Sequence, residues 1–435
     1  MALIKQIQID SLDQISVFSP KDNNDLNRDQ KKAGKWFDDR VIHFLDDLSK
    51  NVMRNALIRN RPDIIAVAFW IRKSNLRKIQ LELGFNNTNT NGSDERNSNS
   101  EITQSNQPYA FGPLGTIFHI CPANVDTIFL YSLTISMLCG NKNILKISSR
   151  MQDTGLLELF RVMSELLEKH EMDSGFVDFI QYKNEEEITR YISKKVDGRV
   201  IWGGNSTIEK IRSILAAPRC RDISFADRVS LSVFSAKELM ELNSEGWADL
   251  LNKFDNDAYL FDQLGCSSPQ IIYFLGENRE KDATAIHIFK EKLSSFLASK
   301  NELDAASLSS LKLNKIMDDI AEEDNKLPIV NVEFGSLVTF IELEKLPDIE
   351  MISTCGGGYF YVRCISNALE LAEIQDKKVQ TITHWGLNES QKQEVESLKN
   401  GVGIDRVVPL GEGLSFDYVW DGYNLFWELS KITRG

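Results

Sequence analysis

The chain has 435 residues, 42% of them hydrophobic and 26% charged, with a formal net charge of −13. That length can bury a large core and divide into two or three domains. The acidic balance speaks against nucleic acid or anionic membrane as the main partner and leaves room for a local basic pocket.

The N-terminal residues Met1 to Asp10 alternate in polarity, which predicts a strand and no secretory signal. Apolar residues at Phe37, Val41, Phe44, Leu45, Leu48 and Val52 recur at helical spacing. Pro62 opens a second helix through Ile71, in keeping with proline at a first helical position. Residues 86–107 are rich in Asn, Ser, Thr and Gly, and a mobile loop is expected there.

Beyond that loop, strands and helices alternate. Strands are expected at Leu114–Cys121, Asn143–Ser148, Gly175–Tyr182 and Arg199–Trp202. Between them run a helix capped by Asp126 that stops at Gly140, an amphipathic helix Thr154–His170, and a helix opened by an Asn184/Glu187 capping box. Ser206 and Glu209 form a second such box for a helix ending at Leu215. The apolar run Ile128–Cys139 falls well short of the ~20 residues that span a bilayer, so it reads as a buried helix. This order predicts an α/β chain with a mostly parallel sheet that binds nucleotide at its strands' carboxyl ends. A second α/β lobe begins with Val229–Phe234, continues through a helix around Trp247–Phe254 and the strand Ile271–Leu275, and carries a long helix to Leu297. Residues 301–328 are polar and read as an insertion, and the tail ends in a short aromatic helix, Tyr423–Leu429. The expected division is residues 1–102 as an N-terminal helical segment with its loop, 103–228 as a dinucleotide-binding domain, 229–395 as a catalytic domain and 396–435 as a return segment.

Six cysteines, at 121, 139, 220, 266, 355 and 364, form no CxxC pair, so neither a disulfide framework nor a structural zinc site is expected. No metal is expected at the five scattered histidines either, and the chain reads as cytoplasmic. Cys266 lies in Asp262-Gln263-Leu264-Gly265-Cys266-Ser267-Ser268-Pro269-Gln270. Small neighbours leave its sulfur accessible and let backbone N–H groups approach an oxyanion. The ordinary alternative is a buried, inert thiol. Cys355, ahead of Gly356-Gly357-Gly358, ranks second. Asn124 follows a strand, where its amide could face an oxyanion or simply form an Asx turn. Gly203-Gly204-Asn205-Ser206 joins a strand to a helix and offers amides to a phosphate. Lys146 ends a strand, with Arg150 shortly after, and both suit phosphate or ribose recognition.

Together these pieces resemble the aldehyde-dehydrogenase superfamily, and within it the LuxC-like acyl-CoA reductases of bacterial bioluminescence. The fragments that carry the resemblance run in order. They are Ala66-Val67-Ala68-Phe69-Trp70-Ile71-Arg72-Lys73, Gly112-Pro113-Leu114-Gly115, Pro122-Ala123-Asn124-Val125, Gly140-Asn141 with Lys146, Ile201-Trp202-Gly203-Gly204, the Cys266 segment, Val408-Pro409-Leu410-Gly411 and Trp420-Asp421-Gly422. The resemblance implies two Rossmann-type parallel-sheet lobes with an N-terminal helical segment. It implies Cys266 as nucleophile and Asn124 as oxyanion donor, with Lys146, Gly203, Gly204 and Ser206 on the dinucleotide. Where the superfamily's oxidising members carry a water-activating glutamate, this chain reads Ile223-Ser224-Phe225-Ala226-Asp227-Arg228. Where NAD-preferring members carry an acidic residue, it has Ser149, followed by Arg150. Both departures point to NADPH-dependent reduction of an acyl-CoA or acyl-protein thioester to an aldehyde. An acyl-protein synthetase partner and a homo-oligomer fit the resemblance as well. An aldehyde-oxidising dehydrogenase, a non-reducing cysteine acyltransferase and an inactive scaffold stay open as alternatives.

Overall fold

The computed structural model describes residues 5–7, 15–18, 34–86, 103–104, 109–121, 128–147, 153–172, 175–182, 186–300, 305–321 and 327–434. The chain forms two compact units, residues 1–226 with 416–435, and residues 227–415.

The first unit is built on a seven-stranded sheet. Its strands are Lys5–Ile7 (β1), Ile15–Phe18 (β2), Thr116–Ile120 (β3), Lys142–Ile147 (β4), Val177–Gln181 (β5), Gly198–Trp202 (β6) and Arg221–Phe225 (β7). Their spatial order is β1-β2-β5-β4-β3-β6-β7. The strands from β5 to β7 are parallel, and the β1–β2 hairpin joins the β5 edge antiparallel. Successive connections step from β3 to β4 to β5 on one side, then return to β6 and β7 on the other. The order of strands therefore reverses between β3 and β6, which is where doubly wound sheets open a crevice at their carboxyl ends.

Helix placement follows the apolar pattern. Asp39–Arg54 buries Val41, Ile42, Phe44, Leu45, Leu48 and Val52 on one face, and the Asp38 carboxylate caps its first turn. Pro62–Trp70 starts on its proline, as expected. The Thr154–Lys169 helix is capped by Asp153, which accepts from Leu156 N at 2.9 Å. Ile128–Leu138 is buried all round, as its apolar sequence requires. Asp126, Asn184 and most of residues 86–107 lie outside the described residues. The C-terminus holds a strand that the periodicity missed, Ser430–Arg434, paired antiparallel with Tyr109–Pro113. Its outward positions are too polar to stand out, and the aromatic helix before it shortens to Leu425–Glu428.

The second unit also carries seven strands: Val229–Ser235 (β8), Pro269–Leu275 (β9), Ile329–Glu333 (β10), Thr339–Leu343 (β11), Tyr359–Ile365 (β12), Val379–Trp385 (β13) and Arg406–Pro409 (β14). The order is β10-β11-β12-β9-β8-β13-β14, with only the β10 edge antiparallel. Central strands β8 and β9 are buried along their whole length. Two apolar layers cover the faces. One is centred on Val233, Tyr273, Ile341 and Tyr361, the other on Phe234, Phe254, Phe274, Phe289 and Phe360. Doubly covered parallel strands of this kind read as continuous apolar runs rather than alternations. The polar stretch expected to be an insertion contains a helix instead, Ala305–Ala321. Its buried positions include Lys312 and Asp319, and charges on the covered face hid the periodicity.

Candidate active site

The Cys266 loop is shaped before the strand that follows it. The Ser244–Tyr259 helix ends, and Asp262 and Gln263 both take left-handed backbone (φ 50° and 63°). Such conformations cost on the order of 1–2 kcal/mol per residue outside glycine. The buried Gln263 side chain offsets that cost. Its Nε2 donates to Pro269 O at 3.0 Å and Tyr359 O at 2.8 Å, and its Oε1 accepts from Tyr359 N at 2.7 Å and Gly358 N at 3.1 Å. Gly357 N also donates to Asp262 O at 2.8 Å. The three glycines at 356–358 all have positive φ, and a Cβ on them would come within 2.8 Å of Asp262 O, 2.5 Å of Leu308 or 2.3 Å of Tyr259 Oη. Only glycine fits there. The turn is thus clamped to the start of β12.

The cysteine itself is fixed from the side of β8. Ser230 Oγ donates to Cys266 O at 2.7 Å and accepts from Thr381 N at 3.2 Å. Ser267 and Ser268 are wholly buried, while Cys266 keeps partial exposure. Ser267 Oγ donates to Gln380 Oε1 at 2.7 Å, and Gln380 Nε2 in turn donates to Cys266 Sγ at 3.2 Å. The sulfur therefore meets a fixed N–H donor at the amino ends of β9 and β13. This can hold an anionic sulfur poised for attack on a carbonyl.

The other thiols sit in different surroundings. Burial pushes Cys139 up to about 12, and Cys220 and Cys364 up to about 11. Cys355 is also raised by burial, although Lys312 beside it works the other way. Lys312 is itself pushed down to about 8 by desolvation and donates to Ser336 O at 3.0 Å. Such thiols are poor nucleophiles at neutral pH.

Within the first unit, the Gly203–Gly204 turn follows β6 at the point where the strand order reverses. A Cβ on Gly203 would press on the Thr207 side chain at 3.1 Å. The helix after it runs Asn205–Ser213, with Gly204 as its cap residue and no side-chain cap. The expected Ser206/Glu209 capping box is therefore corrected. The helix starts two residues earlier, and Ser206 lies exposed in its first turn. Lys146 is half-buried at the end of β4, with Nζ 4.6 Å from the Tyr182 ring centre. Burial first, and then Lys210, hold its amine below the ordinary lysine range. A glycine turn feeding a helix N-terminus with no side-chain cap, with a cation two strands away at the end of β4, suits a dinucleotide's phosphates. Asn124, Ser149 and Arg150 lie outside the described residues. Sequence reasoning missed Gln380 and Ser230, because no local motif marks them. Among the described residues, no cluster of three or more His, Cys, Asp or Glu could hold a metal ion.

Comparison with known proteins bears on this arrangement at two levels. The chain superposes on lactaldehyde dehydrogenase from Escherichia coli with a TM-score of 0.59 at 13% identity, over 90% of this chain and 85% of that one. On an aldehyde dehydrogenase from Bacillus cereus, solved as an NAD+ complex, the TM-score is 0.60 at 13% identity, over 90% and 82%. These likenesses establish the aldehyde-dehydrogenase-like α/β fold. A long-chain acyl-protein thioester reductase of Aliivibrio fischeri is 24% identical over 166 residues, a match that spans 38% of this chain and 33% of the relative. The model of the acyl-CoA reductase (LuxC) family matches residues 48–432. The chain belongs to the acyl-CoA reductase (LuxC) family of oxidoreductases.

Proposed function

We propose that the protein reduces a thioester-bound acyl group to an aldehyde with NADPH, through an acyl group carried on Cys266. The observation that carries this reading is the Cys266 thiol, partly exposed on a clamped loop with an amide N–H at 3.2 Å from its sulfur.

The Cys266 thiolate adds to the thioester carbonyl carbon, and the carbonyl π electrons move to oxygen. Asn124 and the Cys266 backbone N–H bind that oxyanion. As the carbonyl re-forms, the donor's C–S bond breaks and its thiolate takes a proton from solvent. Residues 223–228 supply no glutamate to activate water, so the acyl group persists on sulfur. The nicotinamide, when bound, supplies the hydride that reduces the acyl carbon. Cys266 then leaves as thiolate, and the aldehyde departs. Lys146 and the turn at Gly203, Gly204 and Ser206 hold the cofactor's ribose and phosphates. Ser149 and Arg150 admit a 2′-phosphate, which favours NADPH over NADH.

The donor is coenzyme A or a protein thiol. The second source fits the name of the Aliivibrio fischeri relative and would call for a partner, such as an acyl-protein synthetase, that loads Cys266. A cytoplasmic location belongs to the same proposal. Among the described residues no helix is long and apolar enough to cross a membrane.

The test mixes the protein with a panel of acyl-CoA and acyl-protein thioesters and follows NADPH absorbance and aldehyde, with NADH in parallel. Thioester-dependent NADPH loss that disappears in Cys266→Ala is expected. Conversion of aldehyde to free acid would instead favour the oxidative dehydrogenase. Acylated Cys266 with no cofactor consumed would favour the acyltransferase.

A further inference from the structure

The strand register around Cys266 is irregular on both sides of β8. Ser230 pairs with Pro269 and Leu231 with Ile271, so Gln270 is an extra residue in β9. On the other side Val229 pairs with Val379 and Leu231 with Ile382, so β13 also carries one extra residue, within Gln380–Thr381. Bulges re-aim side chains and are enriched next to active sites. Here the β13 bulge accompanies a wholly buried glutamine whose amide reaches the nucleophile, 114 residues away in sequence.

The amide cannot turn freely. Its Oε1 accepts from Ser267 Oγ at 2.7 Å and from Thr381 Oγ1 at 3.4 Å. A flipped amide would turn both hydroxyls into acceptors and set an oxygen lone pair, not a donor, against the sulfur. With both hydroxyls donating to Oε1, the N–H end of Gln380 faces Cys266.

We propose that Gln380, oriented by Ser267, is a catalytic residue that donates its Nε2–H to the Cys266 thiolate, stabilising it before attack and again as it leaves the reduced acyl carbon. The thiol proton passes to solvent, and no other bond changes. Charged or titratable groups on the surrounding elements are Asp262 on the same loop, the Arg228–Asp405 ion pair at the feet of β8 and β14, and Cys355 with Lys312 beside the glycine turn. Arg228 also donates to Val379 O at 3.1 Å, which ties its guanidinium to the residue before Gln380. Lys312 donates to Ser336 O. The neutral amide adds a directed hydrogen bond to the sulfur that does not depend on these charges. Hydrogen bonding to a charged form favours that form.

The inference rests on Cys266 as the nucleophile of the proposed reaction, but its test needs neither acyl donor nor cofactor. Iodoacetamide alkylation of Cys266 is followed from pH 5 to 10 by mass spectrometry of its peptide, which separates it from the other cysteines. The proteins compared are wild type, Gln380→Met, Gln380→Glu and Ser267→Ala. Loss of the donor in Gln380→Met should raise the thiol's midpoint by about one unit and slow alkylation at pH 7 about tenfold, with the high-pH plateau unchanged. Gln380→Glu should shift the midpoint further, because an anion replaces the donor. Ser267→Ala should give a smaller shift in the same direction and decides the matter if the Gln380 variants do not fold. An unshifted profile in any folded Gln380 variant or, where none folds, a Ser267→Ala profile that superposes on wild type would overturn the role. A shift seen in a protein that reduces no thioester would leave this inference standing and remove only the proposed reaction.

Discussion

Gln263 shows how one side chain can set the geometry of a cysteine three positions away. It holds two carbonyls and two main-chain N–H groups of the segments that flank the Cys266 loop, and it does so from a left-handed backbone. Replacing it with leucine leaves those groups buried without partners, at about 1–3 kcal/mol for each that finds no water. Gln263→Leu should therefore lower unfolding free energy by about 3 kcal/mol in urea titration. An unchanged urea midpoint would mean that the loop holds itself. The sequence drew attention to Asp262, Gln263 and Cys266 because they share one short segment. It could not draw attention to Gln380, whose reach depends on an irregular strand register set by distant pairing. Ser230 was hidden for the same reason, since a serine inside an apolar strand reads as ordinary core.

Elements differ in how openly their patterns show. The helices Asp39–Arg54 and Thr154–Lys169 carry clear apolar stripes and emerged with boundaries close to those expected. The Ala305–Ala321 helix did not, because its covered face presents Lys312 and Asp319 while Leu311, Leu313, Met317 and Ile320 face outward. The Asp319 carboxylate accepts from the Tyr359 and Tyr361 hydroxyls at 2.7 and 2.8 Å, so a polar cluster replaces the usual apolar seam. The turn after β14 depends on a similar buried charge. Asp257, on the Ser244–Tyr259 helix, accepts from Gly411 N at 2.7 Å and Gly413 N at 2.9 Å. Burial raises its carboxyl from 3.8 to about 6, against the lowering effect of those two bonds and Arg406. An acid with a raised folded pKa binds its proton more tightly in the folded state. Its contribution is therefore most favourable below about pH 4 and is lost as pH climbs through about 6. Between pH 4 and 7, the urea midpoint of wild type should fall relative to that of Asp257→Asn. Parallel curves would show that Asp257 does not titrate in this window.

At the scale of the whole molecule, the fold survives with very few shared residues. Identity to the aldehyde dehydrogenases is 13%, yet the TM-scores are 0.59 and 0.60. What persists is the order of parallel strands and covering helices, which the alternation of apolar runs and caps encodes. That order was legible in the sequence, as was the family, through short fragments in fixed succession. Less legible was how each sheet uses its ends. In the first unit the glycine turn occupies the carboxyl end of β6, and in the second Cys266 stands at the amino end of β9. Strand polarity follows from pairing, and pairing is non-local. The central claim is that Cys266 carries the acyl group and surrenders it to hydride. It is tested most directly by incubating the protein with an acyl thioester in the absence of cofactor, measuring intact mass, and then adding NADPH. The account predicts an acyl adduct that maps to Cys266, that is absent in Cys266→Ala, and that disappears on NADPH addition as one equivalent of aldehyde is released. An adduct that forms on another cysteine, or one that NADPH leaves in place, would contradict it.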